Sequence, residues 1–549
     1  MKKLSLSLAL VAGLLFAQAQ EKVSPEELAK QNWFHANYAQ DSIYGVASDA
    51  AYEYAQAKGL KSNPIIVAVI DSGIEPDHDD LKNRMWVNKG EIPNNGIDDD
   101  NNGYIDDIHG WNFIGGPEGD VNHDNLEITR LVREGKKLFE TEDEELNLKN
   151  QKEFKDKYVQ YLKILPKFQK ELEKNKAILA NVEMSIAMQI QAIDAFINEY
   201  GADRIVDEEG IKAFKPNSDG ANQMKQVFLA KIEEGDKPSG KTAQEIKDNF
   251  LEGTKEATDY YSGKVNYYYN INYDSRGIVG DNYEDVTERF YGNNTTEGPD
   301  ALHGTHVAGI IGAERNNGIG MNGVADNVKI MNVRTVPDGD ERDKDVANAI
   351  RYAVDNGAKV INMSFGKGYS PHKDIVWEAM EYATNKGVLL VKAAGNDNAD
   401  IDTDIHYPTN FRDGKKVSNT LLTVGASSRY NDKLKASFSN YGKVQVDIFA
   451  PGLEIYSTVP DNTYRYLQGT SMASPVVAGV AALVWSYFPN LTAQELRDIL
   501  ISTGNYNETL AEISTNGVVV DALKALKAAE KLSASKGNKV KKSKKRVKR

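Results

Sequence analysis

The sequence predicts an α/β sandwich, with helices on both sides of a mainly parallel sheet, interrupted by a largely helical insertion. Three observations carry this prediction. Nearly continuous apolar, β-branched runs recur at residues 65–70, 328–333, 359–363 and 388–391, the composition of strands buried on both faces of a parallel sheet. Helix-like stretches at 345–356 and 375–386 lie between the later runs, each ending near a glycine, so strand and helix alternate along the chain. From about 117 to 275 the pattern changes to long amphipathic helical spacing.

The chain begins with Lys2 and Lys3, an apolar run over 4–16 and the small-residue site Ala17-Gln18-Ala19. This reads as a signal peptide over 1–19. The other reading, a membrane anchor, needs about 20 apolar residues, more than the run supplies. No later stretch is long and apolar enough to span, so the protein is expected to be exported, extracellular or periplasmic. It contains no cysteine, which leaves an exported chain without disulfides and makes bound metal the natural staple.

Residues 20–60 form a polar lead-in, and Pro64 opens the first strand of a domain assigned to 61–116 and 276–530. Within the insertion, assigned to 117–275, Phe154, Tyr158, Tyr161, Leu162 and Leu165 fall at helical spacing, and Phe168 to Ile197 continue it beyond Pro166. The positions between them are mostly Lys, Glu, Gln and Asn, which predicts amphipathic helices, one arrangement being a helical hairpin. Thr242 and Glu245 form a capping box ahead of Ile246, Phe250 and Leu251, so a further helix starts there. The sheet-like pattern on both sides marks the segment as an insertion.

The 549 residues carry a formal charge of −14, unevenly placed. Over 531–549 the chain ends in a basic tail, with nine basic residues and no acidic one from Lys536 to Arg549. A solvated, disordered end is the reading favoured over contact with an anionic surface. The acidic remainder disfavours nucleic acid as a specific partner.

Three segments place a reactive side chain beside small residues at the end of a buried element. Asp71 closes the first strand in VIDSG, His303 opens HGTHVAG, and Ser471 lies in GTSMASPVVAG before an apolar helix. Singly, each has a plainer explanation: DSG also occurs in aspartic proteases, which need a second carboxylate to share a proton, and a serine before a helix is most often a cap. No second DSG or DTG occurs. Together they supply what acyl transfer requires. A serine hydroxyl becomes nucleophilic when an imidazole takes its proton, and the imidazole needs a carboxylate to fix its tautomer and stabilise its cation. The oxyanion that develops needs preorganised donors. Asn396, in KAAGND, offers a side-chain amide, and the Ser471 N–H at a helix N-terminus offers a second donor.

The segments VIDSG, HGTHVAGIIGA, VINMSFG, AAGN and GTSMASPVVAGVAAL resemble those of the subtilisin family, in that family's order Asp, His, Ser. The resemblance covers roughly 60–116 and 276–505. It implies a three-layer α/β fold, endopeptidase activity on protein or peptide substrates, and frequent calcium binding. By motif position it implies that Asp71, His303 and Ser471 form the triad, that Asn396 is the oxyanion donor, and that His306 is structural. It also implies that Ser364, Phe365 and Gly366 bind substrate backbone as an added strand. Leu302 stands where many relatives have glycine, and the lead-in is shorter than the inhibitory pro-domain many secreted relatives carry.

A fourth signal is DDDNNGYIDD, in which Asp98, Asp100 and Asn102 alternate, Gly103 follows and Asp106 lies three beyond. With the Tyr104 carbonyl this copies the first half of an oxygen-ligand calcium loop. His109 replaces the glutamate expected at the twelfth position, so the loop is no EF-hand, and an Asx-rich turn without metal is the alternative. The leading functional reading is a secreted serine endopeptidase. The other is a binding or scaffold protein on the same fold, using its helical insertion to hold a partner.

Overall fold

The structure is a computed structural model describing residues 24–235 and 240–547. The expected signal segment 1–19 lies outside them. The chain divides into two compact units, one containing Ile128–Tyr273 and the other comprising Pro25–Glu127 and Asp274–Arg549.

The larger unit is built on a nine-stranded sheet. Its strands are β1 (Ile65–Asp71), β2 (Gly110–Asn112), β3 (Val328–Arg334), β4 (Val360–Met363), β5 (Leu389–Ala393), β6 (Leu421–Ser427), β7 (Ile448–Pro451), β8 (Asn505–Tyr506) and β9 (Val518–Val519). Their spatial order is β8-β9-β7-β6-β5-β4-β1-β3-β2. All neighbours run parallel except β8 and β9. β1 is central, with Val67 opposite Val360 on one side and Ile330 on the other.

Because side chains alternate across a strand, β1 serves two cores. Val67 and Val69 join Ile310, Ile311, Val476 and Val480 from helices Leu302–Gly312 and Thr470–Tyr487. Ala68 and Ile70 join Ile350 and Met380 from helices Asp343–Asp355 and Lys373–Asn385 on the other face. The chain is thus a three-layer α/β fold. The same alternation sends Asp71 to the face of Val67 and Val69, where the helices carrying His303 and Ser471 pack. Among the described residues only Thr470–Tyr487 is long and apolar enough to cross a membrane, and 89% of it is buried inside this core.

Three boundaries differ from those read in the sequence. The lead-in is not a separate polar segment: Trp33, Phe34, Val46, Ala51 and Ala55 enter the larger core, and the Trp33 indole N–H donates to the Glu454 carbonyl at 3.1 Å. Its few large apolar residues anchor it despite its polar average. Residues 117–127 and 274–275 belong with the sheet unit, where ion pairs tie Asp124 to Arg342 at 2.8 Å, Glu127 to Lys367 at 2.7 Å and Asp274 to Arg342 at 3.1 Å. The basic end continues the helix Ala522–Val547, rather than the irregular end favoured above, since Ala and Lys are strong helix formers and Ala525, Leu526 and Ala529 are buried.

The smaller unit has its own core. Its main helix, Lys155–Tyr200, runs through Pro166 without ending. Ile193, Phe196, Ile211, Phe228 and Phe250 are buried together between it and helices Glu208–Ala213, Asp219–Glu233 and Ala243–Gly263. The capping box opens the last of these, with Glu245 N–H to Thr242 Oγ1 at 3.2 Å and Thr242 N–H to Glu245 Oε2 at 2.7 Å.

Candidate active site

At the C-terminal end of β1, Asp71 meets the first turn of the helix Leu302–Gly312. His303 Nδ1 lies 2.6 Å from Asp71 Oδ1, which also accepts the Ser72 N–H at 2.8 Å. Asp71 is 2% exposed while the His303 side chain is 37% exposed. Burial alone would lower the His303 pKa, but the charge and hydrogen bond of Asp71 outweigh it and hold it above its ordinary value near 6.5. His306, one turn on, is fully buried, and its Nε2 bridges the Ile455 and Arg465 carbonyls at 3.1 Å each. Burial drops it to about 3, so it stays neutral and braces the hairpin Ile455–Val459 and Thr463–Leu467.

Ser471 opens the helix Thr470–Tyr487. Pro475 lies four residues on and has no N–H to give the Ser471 carbonyl. Ser364 fills the vacancy, its Oγ donating to that carbonyl at 2.8 Å. In return Ser471 Oγ donates to the Ser364 carbonyl at 3.0 Å, so the hydroxyl faces the end of β4 and makes no hydrogen bond with His303. Such contacts commonly tighten only in the substrate complex.

Asn396 follows β5. Its Oδ1 accepts the Thr470 N–H at 2.8 Å and the Thr470 hydroxyl at 3.0 Å, which leaves the Nδ2 hydrogens uncommitted. A Cβ added at Gly469 would lie 3.4 Å from Asn396 Nδ2 and 3.5 Å from the Ser471 nitrogen, so both donors border one point. Beyond β4, Phe365 is buried and neither Phe365 nor Gly366 makes a backbone hydrogen bond. That backbone is open to an added strand. A cleft of about 240 Å³ runs alongside, lined by Asp71, His303, Ser364, Asp300 and Arg334 among others.

Two cations here went unread in the sequence. Arg334, opposite Asp71 in the register, is 1% exposed and donates to the Ser72 and Val121 carbonyls and to Asn112 Oδ1. It fixes the turn that follows Asp71. Lys392 is buried inside β5, and burial drops it to about 7. A lone lysine within the apolar run VLLVKAAGN was the available signal.

The predicted metal residues divide. Asp98 is spent on the Asn102 and Gly103 N–H groups, Asp106 on those of Asn95 and Gly96, and Asn102 Oδ1 on that of Tyr104. The Tyr104 ring is buried. Of the predicted set, Asp100 alone joins a carboxylate cluster, with Glu91 and Asp107, whose oxygens lie within 4.8 Å of one another. Burial pushes Asp107 up to about 6. These oxygens accept hydrogen bonds as well, Glu91 from the Asp100 and Asp106 N–H groups and Asp107 from the Tyr352 hydroxyl, so what sets the three apart is their convergence, a hard oxygen donor set of the kind calcium takes.

The subtilase family profile matches residues 62–520. The thermophilic serine proteinase of Bacillus sp. strain AK1 is 43% identical over 210 residues, 37% of this chain and 49% of that protein. Thermitase of Thermoactinomyces vulgaris is 42% identical over 223 residues, 40% of this chain and 75% of that protein. Subtilisin DY of Bacillus licheniformis is 39% identical over 205 residues, 37% of this chain and 69% of that protein. The chain belongs to the subtilase family of serine proteases. The match spans about half the length of the first of these relatives.

Proposed function

We propose that this protein is an exported serine endopeptidase that cleaves through an acyl-enzyme on Ser471. The observation that carries the reading is the 2.6 Å pair of Asp71 and His303 on the face of the sheet that receives the Ser471 helix. In this mechanism Ser471 Oγ leaves the Ser364 carbonyl and turns to His303. The imidazole takes its proton as Oγ bonds to the substrate carbonyl carbon, and Asp71 stabilises the cation. Asn396 Nδ2 and the Ser471 N–H receive the oxyanion. His303 then gives the proton to the leaving amine as the C–N bond breaks, and water releases the acid by the same route. Labelling with a serine-directed peptidyl phosphonate, followed by peptide mapping, tests the assignment: the adduct falls on Ser471. Export rests on the signal-like composition of residues 1–19.

Since Asp71 raises the His303 pKa and general-base action needs the neutral ring, kcat/KM rises with pH through a midpoint above 6.5. In Asp71→Asn the raising influence goes and burial remains, so any residual activity has a lower midpoint. A profile peaking at acid pH would contradict the mechanism.

Calcium is proposed as a structural ion held by Asp100 with Glu91 and Asp107, whose negative charge it would offset. Binding to the native state alone adds RT ln(1 + [L]/Kd), about 2.7 kcal/mol at a hundredfold excess over Kd. Chelation therefore lowers Tm, and Glu91→Gln with Asp107→Asn lowers it in the presence of calcium. An unchanged melting curve after exhaustive chelation would reduce the loop to a metal-free turn.

The insertion is proposed as a separable module, supported by its own core. Replacing residues 128–273 with a short linker leaves small-peptide hydrolysis measurable. Loss of folding in that variant would show that the sheet unit depends on it.

A further inference from the structure

Beyond β4 the chain is fastened at two points, with two residues of unengaged backbone between them. At the near end Ser364 Oγ donates to the Ser471 carbonyl at 2.8 Å. At the far end Lys367 is fixed in both backbone and side chain. It exchanges backbone hydrogen bonds with Tyr407 at 2.8 and 3.1 Å. Its Nζ donates to the Glu341 carbonyl and to Glu127 Oε2, each at 2.7 Å, and lies 2.9 Å from Asp343 Oδ1. Phe365 and Gly366, between these anchors, make no backbone hydrogen bond. Gly366 lies against His406, so close that an added Cβ would stand 2.1 Å from its Cε1.

Lys367, Glu127 and Asp343 are all buried. A buried ammonium is costly unless charge and hydrogen bonds compensate it, and here two carboxylates and a carbonyl converge on one. Each carboxylate is itself held. Asp343, at the start of the helix Asp343–Asp355, accepts the Ser370 hydroxyl and the His372 N–H at 2.8 Å each. Glu127 is the first residue of the helix Glu127–Phe139, which leads into the insertion, and its N–H donates to Asp340 Oδ2 at 2.7 Å. Arg342, between Glu341 and Asp343, pairs with Asp124 at 2.8 Å and Asp274 at 3.1 Å, which flank the insertion in the chain. Residues 341–343 therefore fasten both ends of the insertion and, through Lys367, the far end of residues 364–366.

A substrate that adds a strand along Phe365 and Gly366 gains from a backbone already held in place, because residues that must be ordered at the moment of binding subtract from affinity. We propose that Lys367 is a positioning residue for extended substrates and that Glu127 holds it there. The point where the insertion begins then helps to set how tightly the enzyme binds the residues before the scissile bond. This rests on the serine-peptidase reading of Ser471. The groups that hold Lys367 lie outside the triad and the oxyanion donors, so its effect falls on binding rather than on the chemical step. A substrate too short to reach Phe365 and Gly366 is indifferent to it.

The test uses the full chain and two substrates with the same acyl residue and leaving group, one carrying three further residues before the acyl residue and one carrying none. Active enzyme is counted by phosphonate titration of Ser471. Lys367→Met should raise KM for the longer substrate and lower its kcat/KM by about tenfold, equivalent to about 1.4 kcal/mol, while kcat/KM for the short one stays within about twofold. Glu127→Gln, which keeps an acceptor but removes its charge, should move the ratio of the two in the same direction by about threefold. Should Lys367→Met misfold, Glu127→Gln makes the comparison alone. A merely structural role would lower the count of active sites and leave the ratio unchanged, and that result would overturn the proposal, as would an unmodified enzyme that gains nothing from the three added residues. A ratio moved by Lys367→Met alone would refute the part assigned to Glu127. A protein labelled on Ser471 whose ratio does not move refutes only this inference, whereas one that is unlabelled and cuts neither substrate refutes the peptidase reading itself.

Discussion

Ser471→Ala should leave the protein folded, blind to serine-directed phosphonate and slower in kcat by about 10⁶-fold, the magnitude known for subtilisin itself when its serine or histidine is removed. The physical reason is that acylation has no second nucleophile. The neighbouring hydroxyls are committed elsewhere: Ser364 donates to the Ser471 carbonyl at 2.8 Å and contacts Ser474 Oγ at 2.9 Å, and Thr470 donates to Asn396 Oδ1 at 3.0 Å. Stability should change little, because the Ser471 hydroxyl makes one hydrogen bond, to the Ser364 carbonyl, and a typical bond is worth about 1 kcal/mol net. Purified Ser471→Ala that retained substantial turnover would remove the assignment, since about 8 kcal/mol of barrier cannot be supplied elsewhere.

Asn396→Ala should lower kcat by about 10²- to 10³-fold with KM nearly unchanged, a scale that also comes from subtilisin. The amide acts where charge develops, and the ground-state carbonyl asks little of it. The substitution has a structural component too, since Asn396 Oδ1 anchors the Thr470 N–H and hydroxyl. Asn396→Asp separates the two effects, keeping the acceptor while replacing the donor with a negative charge. It should remain folded and be at least as slow as the alanine variant. A change chiefly in KM for either variant would mean that Asn396 holds substrate rather than the oxyanion.

How far the site could be read in advance follows from how local each signal is. The three segments around Asp71, His303 and Ser471 each carry their own structural context, a strand end or a helix start, so their chemistry was legible one segment at a time. His406 carried no such mark, because its ring lies against Gly366, 40 residues earlier in the chain, where any side chain would meet it. Lys367 was equally silent: its ion pair with Glu127 spans the whole insertion. The calcium loop shows an intermediate case. The spacing of Asp98, Asp100, Asn102 and Asp106 was real, but most of those oxygens fold the loop on itself, and Glu91 and Asp107 reach Asp100 only once it has folded.

By itself the sequence determined the alternation of buried strands and helices, the helical insertion and the identity of the reactive side chains, because hydrophobic periodicity and short motifs are properties of neighbouring residues. The tertiary structure decided what depends on residues far apart in the chain. It placed the lead-in within the core through Trp33 and Phe34, and it put Ser364 where Pro475 leaves the Ser471 carbonyl without a donor. Each of these is a pairing fixed by packing, and no window of sequence contains both partners.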